Sequence, residues 1–142
     1  MRELPRRIAT GFAAAALSVL IVHQGAWAIL HALDLPGLAM PPAFPMSATP
    51  PLGVPRLVSL CFWGGVWGAG FAAIWRGSWW LGGLCLGLAA ILAGYFVVGP
   101  IKGIPIGNAF QLNNWLRSLL INLPWAFFTA FLIRRRARVD KA

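Results

Sequence analysis

Four long runs of apolar residues, almost free of charge, constrain this chain more than any other feature of its sequence. They cover residues 8–33, 57–75, 79–99 and 115–133, and each has roughly the 20 residues that a helix needs to cross the hydrocarbon core of a bilayer. Because lipid offers the backbone no hydrogen-bond partner, each run is predicted to be helical. The expected fold class is an all-α integral membrane protein, a bundle of four transmembrane helices forming one membrane domain over residues 1–142.

The shortage of charged residues excludes several classes of function. Only 11% of the residues are charged, whereas a soluble domain has about a quarter. The acidic residues Glu3, Asp34 and Asp140 all lie outside the apolar runs. The sequence therefore offers no buried carboxylate pair for acid–base catalysis, no carboxylate cage for a metal and no membrane carboxylate to carry protons. We predict no enzyme activity, no catalytic or metal-binding residues and no cofactor.

Lysine and arginine are distributed unevenly between the connections. If the N-terminus is cytoplasmic, nine of the 12 basic residues lie on the cytoplasmic side, and Arg56, Lys102 and Arg117 lie outside. This positive-inside bias predicts that both termini are cytoplasmic, in a multi-pass protein of a bacterial inner membrane. The basic run 134–138 directly follows a span, so it is interpreted as a topology anchor beside anionic lipid. No nucleic-acid partner is predicted.

The first run has a second interpretation, because secretory signal peptides also combine a basic start, an apolar middle and a small-x-small sequence such as residues 26–28. The run is longer than the apolar region of a signal peptide, contains His23 and Gln24, and continues past Ala28. We therefore expect it to be retained as the first helix of the membrane domain.

Small residues mark the predicted contacts between helices, because close backbone approach stabilises helix pairs in lipid. Gly64 and Gly68 are four residues apart in the second run, as are Gly83 and Gly87 in the third. Only residues 76–78 link these two runs, which predicts an antiparallel hairpin packed through the glycines. The alternative is that these glycines form a surface for self-association or for other membrane-protein subunits.

Polar residues of the spans and of the adjoining connections are concentrated near the predicted outer ends. Gln24, Trp27 and His31 follow i, i+3, i+7 spacing and share one helix face. Side chains in this region form a candidate ligand pocket open to the periplasm: His23, Gln24, Trp27, His31, Tyr95, Lys102, Arg117 and Asn122. The preferred interpretation is simpler, because polar side chains in spans often form interhelical hydrogen bonds that set the register of packing.

Three short segments resemble a group of small four-helix bacterial inner-membrane proteins. They are the His23-Gln24 pair, the Pro-Leu-Gly-Val-Pro sequence at 51–55 and the Pro-Ile-Lys-Gly-Ile-Pro sequence at 100–105. The resemblance implies an inner-membrane location and four helices, but it implies no activity. The expected function is a non-enzymatic structural or accessory subunit of a membrane complex. The alternative is a small-molecule binding or transport protein with a periplasm-facing polar pocket.

The orientation can be tested on the first outer connection, residues 34–56, which contains seven of the eleven prolines. If Ala48 is replaced by cysteine, a membrane-impermeant thiol reagent should modify it from the periplasmic side, because this connection is predicted to lie there. Modification only from the cytoplasmic side would overturn the predicted topology.

Overall fold

A computed structural model describes residues 3–50 and 52–139, with side chains up to Arg136. Among the residues used in the sequence predictions, Arg2, Pro51, Asp140 and Lys141 lie outside the described residues.

The described part of the chain contains four helices that are long and apolar enough to cross a membrane. They are α1 (Glu3–Leu33), α2 (Arg56–Ile74), α3 (Trp79–Ile101) and α4 (Leu112–Val139). The prediction of a mostly helical chain with four candidate spans is confirmed. Both α1 and α4 continue beyond the apolar runs into their arginine-rich flanks, because arginine favours a helical backbone.

Two of these helices contain a π-helical segment. In α1 the segment covers Val19–His23, and in α3 it covers Gly94–Val98. The first follows Ser18, whose buried hydroxyl donates to the carbonyl oxygen of Ala14 at 2.7 Å. Such hydroxyl-to-backbone bonds bend helices, and π segments occur frequently at functional sites.

The helices run antiparallel to their chain neighbours, and α1 packs most extensively against α2. Glycine allows this close approach. A Cβ atom added to Gly68 would lie 2.3 Å from the Cβ of Ala15 and 2.3 Å from the carbonyl oxygen of Gly11. A Cβ atom on Gly64 would lie 2.6 Å from a methyl group of Val19. Side chains at these positions would therefore push the two helices apart.

The helices α3 and α4 form the second close pair. A Cβ atom on Gly83 would lie 2.6 Å from the ring of Phe127, and one on Gly87 would lie 2.8 Å from the side chain of Leu123. At the start of α3, the ring of Trp79 packs edge-to-face against Phe127 and Phe131 in the C-terminal half of α4. Glycine on α3 and aromatic side chains on α4 thus interlock.

The predicted close packing of the second and third helices through their glycines is wrong, although the two helices do follow each other antiparallel. Among the described residues, α2 and α3 have few contacts with each other, and Gly82 faces Phe71 and Trp75 close to their linker. The short linker holds the end of α2 close to the start of α3, while the glycines of α2 face α1 and those of α3 face α4. Self-association through these glycines stays a prediction, although it would require the contacts within the chain to separate.

The two pairs meet in a core centred on Trp125, which is 3% exposed. Its indole Nε1 donates to the carbonyl oxygen of Ala15 at 3.1 Å, which joins α4 to α1. Val19, Phe71 and Leu86 belong to the same buried cluster. All four helices therefore contribute to one core.

The connections α1–α2 and α3–α4 lie at one end of the helices, called here the loop end; the opposite end is the terminal end. In the first connection, the short strands β1 (Ala48–Thr49) and β2 (Val54–Pro55) pair antiparallel. In the second, a 3₁₀ helix covers Ile106–Phe110, and Ala109 is buried.

The close packing of α1 and α2 predicts different effects of one substitution at two positions of α2. Gly68→Ala should lower the free energy of unfolding by about 1–3 kcal/mol, because the added methyl group overpacks the contact with α1. Gly70→Ala should leave it unchanged or raise it by up to about 1 kcal/mol, since no atom lies within 4 Å of the added Cβ and alanine favours helix. Unfolding in detergent, followed by circular dichroism, measures both values. Equal effects at the two positions would contradict this packing.

Candidate functional site

Gln24 is fully buried and fixes the conformation of the first connection. Its Oε1 accepts a hydrogen bond of 2.7 Å from the backbone N–H of Phe44. Phe44 has a φ of 56°, in the left-handed region that non-glycine residues rarely adopt. The hydrogen bond from α1 therefore helps to hold a strained backbone position over the loop end.

Trp27 and His31 bind the same connection from the same face of α1. The indole Nε1 of Trp27 donates to the carbonyl oxygen of Pro41 at 2.6 Å, and His31 Nδ1 lies 2.7 Å from the carbonyl oxygen of Met40. The guanidinium of Arg56 lies 5.5 Å from the centre of the Trp27 ring, a cation–π distance. The predicted shared face exists, and its polar atoms bind the backbone of the connection.

Arg117 and Lys102 also lie at the loop end, and neither lines the cavity that His23 and Asn122 share. Arg117 Nη2 donates to the carbonyl oxygen of Gly37 at 3.2 Å, and its buried Nε has no hydrogen-bond partner among the described residues. Lys102 is exposed. The guanidinium of Arg117 therefore joins α4 to the first connection.

Tyr95 joins α3 to α4. Its hydroxyl donates to the carbonyl oxygen of Asn114 at 2.6 Å and lies 2.6 Å from Ser118 Oγ, which can donate to it in turn. The Tyr95 ring also packs against Trp115, with 5.3 Å between ring centroids. The hydroxyl is thus already used in hydrogen bonds between helices.

His23 and Asn122 are the two predicted site residues that line a common cavity. The cavity has a volume of about 180 Å³ and is lined by residues of all four helices. Its walls include His23 and Val19 from the π segment of α1, and Gly94 and Val98 from that of α3. Both π segments therefore contribute to one space, called here the polar cavity.

The hydrogen bonds around His23 determine its tautomer. Since Gln24 Oε1 accepts from Phe44, the Nε2 amide group of Gln24 is the one that lies 3.3 Å from His23 Nδ1. An amide nitrogen donates only, so Nδ1 accepts and the neutral ring carries its proton on Nε2. Asn122 Nδ2 donates to the carbonyl oxygen of Ser118 at 2.9 Å, while Asn122 Oδ1 has no partner among the described residues. The residues that line the polar cavity thus carry one donor, His23 Nε2, and one acceptor, Asn122 Oδ1, without a partner among the described residues.

A larger cleft separates α2 from α3, and sequence reasoning did not identify it. It has a volume of about 700 Å³, and its lining is almost entirely apolar. The α2 wall includes Trp63, Trp67, Gly70 and Phe71, and Trp75 extends it just beyond the helix. The α3 wall includes Cys85, Leu86, Ala89, Ala93 and Val98. The polar cavity adjoins this cleft, and both are lined by Trp63, Trp67, Ala93 and Val98.

Several cleft-lining residues are exposed, including Trp63 at 59% and Ile74 at 80%. The cleft therefore opens on the side of the protein, between two candidate membrane spans, and in a bilayer it would face the lipid. A signal for it was present in the sequence. Trp63 and Trp67 lie on the opposite side of α2 from its glycine row. This signal locates the cleft only once the helix that packs against each glycine row is known.

Among the described residues, no group of three or more His, Cys, Asp or Glu side chains is arranged to hold a metal ion. Comparison of the chain with known protein families, curated proteins and solved structures finds no match.

The role of Gln24 predicts a loss of stability when its amide is removed. Gln24→Leu leaves the N–H of Phe44 without its acceptor, and the free energy of unfolding should fall by about 1–3 kcal/mol. The same substitution at the exposed Gln111 should change it by less than about 0.5 kcal/mol. Thermal unfolding in detergent compares the two variants. A Gln24→Leu variant as stable as Gln111→Leu would show that this hydrogen bond does not hold the connection.

Proposed function

We propose that this protein is a non-enzymatic protein of the bacterial inner membrane that binds a lipid-like amphiphile in the cleft between α2 and α3. The observation that carries the proposal is the cleft itself. Its volume of about 700 Å³ is within the range of about 300–1,000 Å³ that is typical of small-molecule sites. The distribution of basic residues supports a cytoplasmic location of both termini.

The cleft walls favour a hydrocarbon chain as the bound group. Trp63 and Trp67 on α2, and Trp75 just after it, lie along one wall, and small residues lie opposite on α3. Aromatic walls provide a large contact area with little loss of side-chain conformational entropy. Small residues leave room between the helices, so a flexible chain can lie lengthwise beside them.

The polar cavity adds hydrogen-bonding capacity at the end of the cleft nearer the connections. The His23 Nε2 proton and the free Asn122 Oδ1 match a hydroxyl group or a water molecule, which both donates and accepts. A ligand oxygen part-way along an apolar chain would therefore have partners there. The proposed site differs from the pocket expected at the outer mouth, where Gln24, Trp27 and His31 bind the connection.

A second candidate function is the accessory subunit expected from the sequence, with a transmembrane helix of a partner protein in the cleft. The observation in its favour is the row of small residues on the α3 wall. Ala89 and Ala93 are four residues apart and both line the cleft, as in small-xxx-small helix contacts. A partner helix would occupy the same space as the amphiphile, so the two candidates can be separated by what is retained on purification.

Native mass spectrometry of the full chain, extracted in mild detergent, tests the proposal. The wild-type chain should retain a lipid-sized added mass. Ala89→Phe should reduce the retained fraction at least fivefold, because the ring fills part of the cleft. Each CH₂ group of the ligand that is displaced loses about 1 kcal/mol of binding free energy. Ala13→Phe, at an exposed position of α1 that does not line the cleft, is the matched control.

The other outcomes are equally informative. A wild-type chain that carries no added mass, or equal retention in the two variants, would contradict binding of an amphiphile in the cleft. A second protein that is retained by the wild type and lost in Ala89→Phe would favour the accessory subunit instead.

A further inference from the structure

Three arginines from different parts of the chain surround one hollow at the terminal end. Arg7 from α1, Arg76 from the α2–α3 linker and Arg134 from α4 line a space of about 240 Å³. Trp75 and Trp79 also line it. Tryptophan and arginine together are typical of the interface between the bilayer core and its headgroups.

Backbone carbonyl groups at the end of α2 hold two of these arginines close together. Arg7 donates from Nε to the carbonyl oxygen of Ala72 and from Nη2 to that of Trp75, both at 3.1 Å. Arg76 Nη1 donates to the same two oxygens, at 3.3 and 3.1 Å. Cations stabilise a helix C-terminus, but here two like charges converge on one carbonyl pair and repel each other.

The described residues do not neutralise this positive charge by a salt bridge. Glu3 on α1 attracts Arg7 electrostatically, but Arg7, Arg76 and Arg134 form no ion pair with a carboxylate in the described part of the chain. Arg134 is exposed and makes no hydrogen bond there. Three guanidinium groups around one hollow, with free N–H donors, favour an anion, because guanidinium groups bind phosphate oxygens through parallel hydrogen bonds.

The hollow adjoins the apolar cleft. Phe71 and Trp75 line both spaces, so the arginines lie directly beyond the terminal end of the cleft. A molecule with its hydrocarbon chain in the cleft would therefore place its head at the arginines. The bilayer itself contains molecules of this kind, which have an anionic phosphate joined to apolar chains.

We infer that Arg7, Arg76 and Arg134 bind the phosphate of an anionic phospholipid whose chain occupies the cleft. This inference rests on the proposed function and extends it, because it names the class of ligand and the residues that select it. Arg7 and Arg76 are positioned by the end of α2, and Arg134 closes the hollow from α4. The negative charge of the lipid phosphate offsets the repulsion between Arg7 and Arg76.

Arg134→Gln is the most direct variant, because it removes one charge without breaking a hydrogen bond of the described structure. Arg135→Gln is the matched control, since it makes the same change at the next residue, outside the hollow. The full chain is exchanged into detergent with equal amounts of phosphatidylglycerol and phosphatidylcholine that carry identical chains. Native mass spectrometry then measures the ratio of the two bound lipids.

The wild type should retain phosphatidylglycerol in excess. Arg134→Gln should lower the ratio of bound phosphatidylglycerol to phosphatidylcholine about fivefold, as expected for one basic residue near an anionic headgroup. Arg135→Gln should leave the ratio within twofold of the wild-type value. Arg7→Gln should lower the ratio as well, and its unfolding in detergent shows whether the contact with α2 survives.

The outcomes separate this inference from the proposed function. Retention of both lipids in equal amounts, or equal effects of Arg134→Gln and Arg135→Gln, would overturn the arginine site and leave the cleft in place. Retention of neither lipid would overturn the proposed function as well. If inorganic phosphate at millimolar concentration removes the preference for phosphatidylglycerol while both lipids stay bound, the hollow is a site for free phosphate, and the assignment to lipid is wrong.

Discussion

Close packing through glycine is the interaction on which the rest of this structure depends. Gly64 and Gly68 bring α2 against α1, and Gly83 and Gly87 bring α3 against α4. The glycine face of α2 packs against α1 and that of α3 packs against α4, while α1 and α4 also pack against each other. As a result, α2 and α3 stay apart along most of their length although a short linker joins them, and the cleft is the space between them.

Most polar side chains of the spans are used in hydrogen bonds within the protein, chiefly to its backbone, and not in binding a ligand. Gln24, Trp27 and His31 hold the first connection, and Tyr95 joins two helices through its hydroxyl. An unpaired backbone group away from water costs more free energy than a hydrogen bond contributes. A proline-rich connection, with few regular hydrogen bonds of its own, therefore depends on side chains from α1.

The cleft and the hollow are complementary to the two parts of an anionic amphiphile, its hydrocarbon chain and its headgroup. Tryptophan and small apolar residues line the long space between the helices, while arginines converge at its terminal end. The C-terminus of α2 explains why two of these arginines lie together, since its last carbonyl oxygens attract both. The same helix thus forms one wall of the cleft and positions the cations beyond it.

The sequence by itself determined the four helices, because long runs without charge can satisfy their backbone in lipid only as helices. It also predicted that Gln24, Trp27 and His31 share one face, since helical periodicity alone decides this. Tertiary structure decided which helices pair, because a glycine row specifies a close contact without specifying its partner. It also decided that His23 and Asn122 line a cavity, while Gln24, Trp27, His31 and Arg117 bind the first connection. Likewise, it decided that Arg7, Arg76 and Arg134 line one hollow. Distances between residues far apart in the chain follow from helix pairing, which no local pattern encodes.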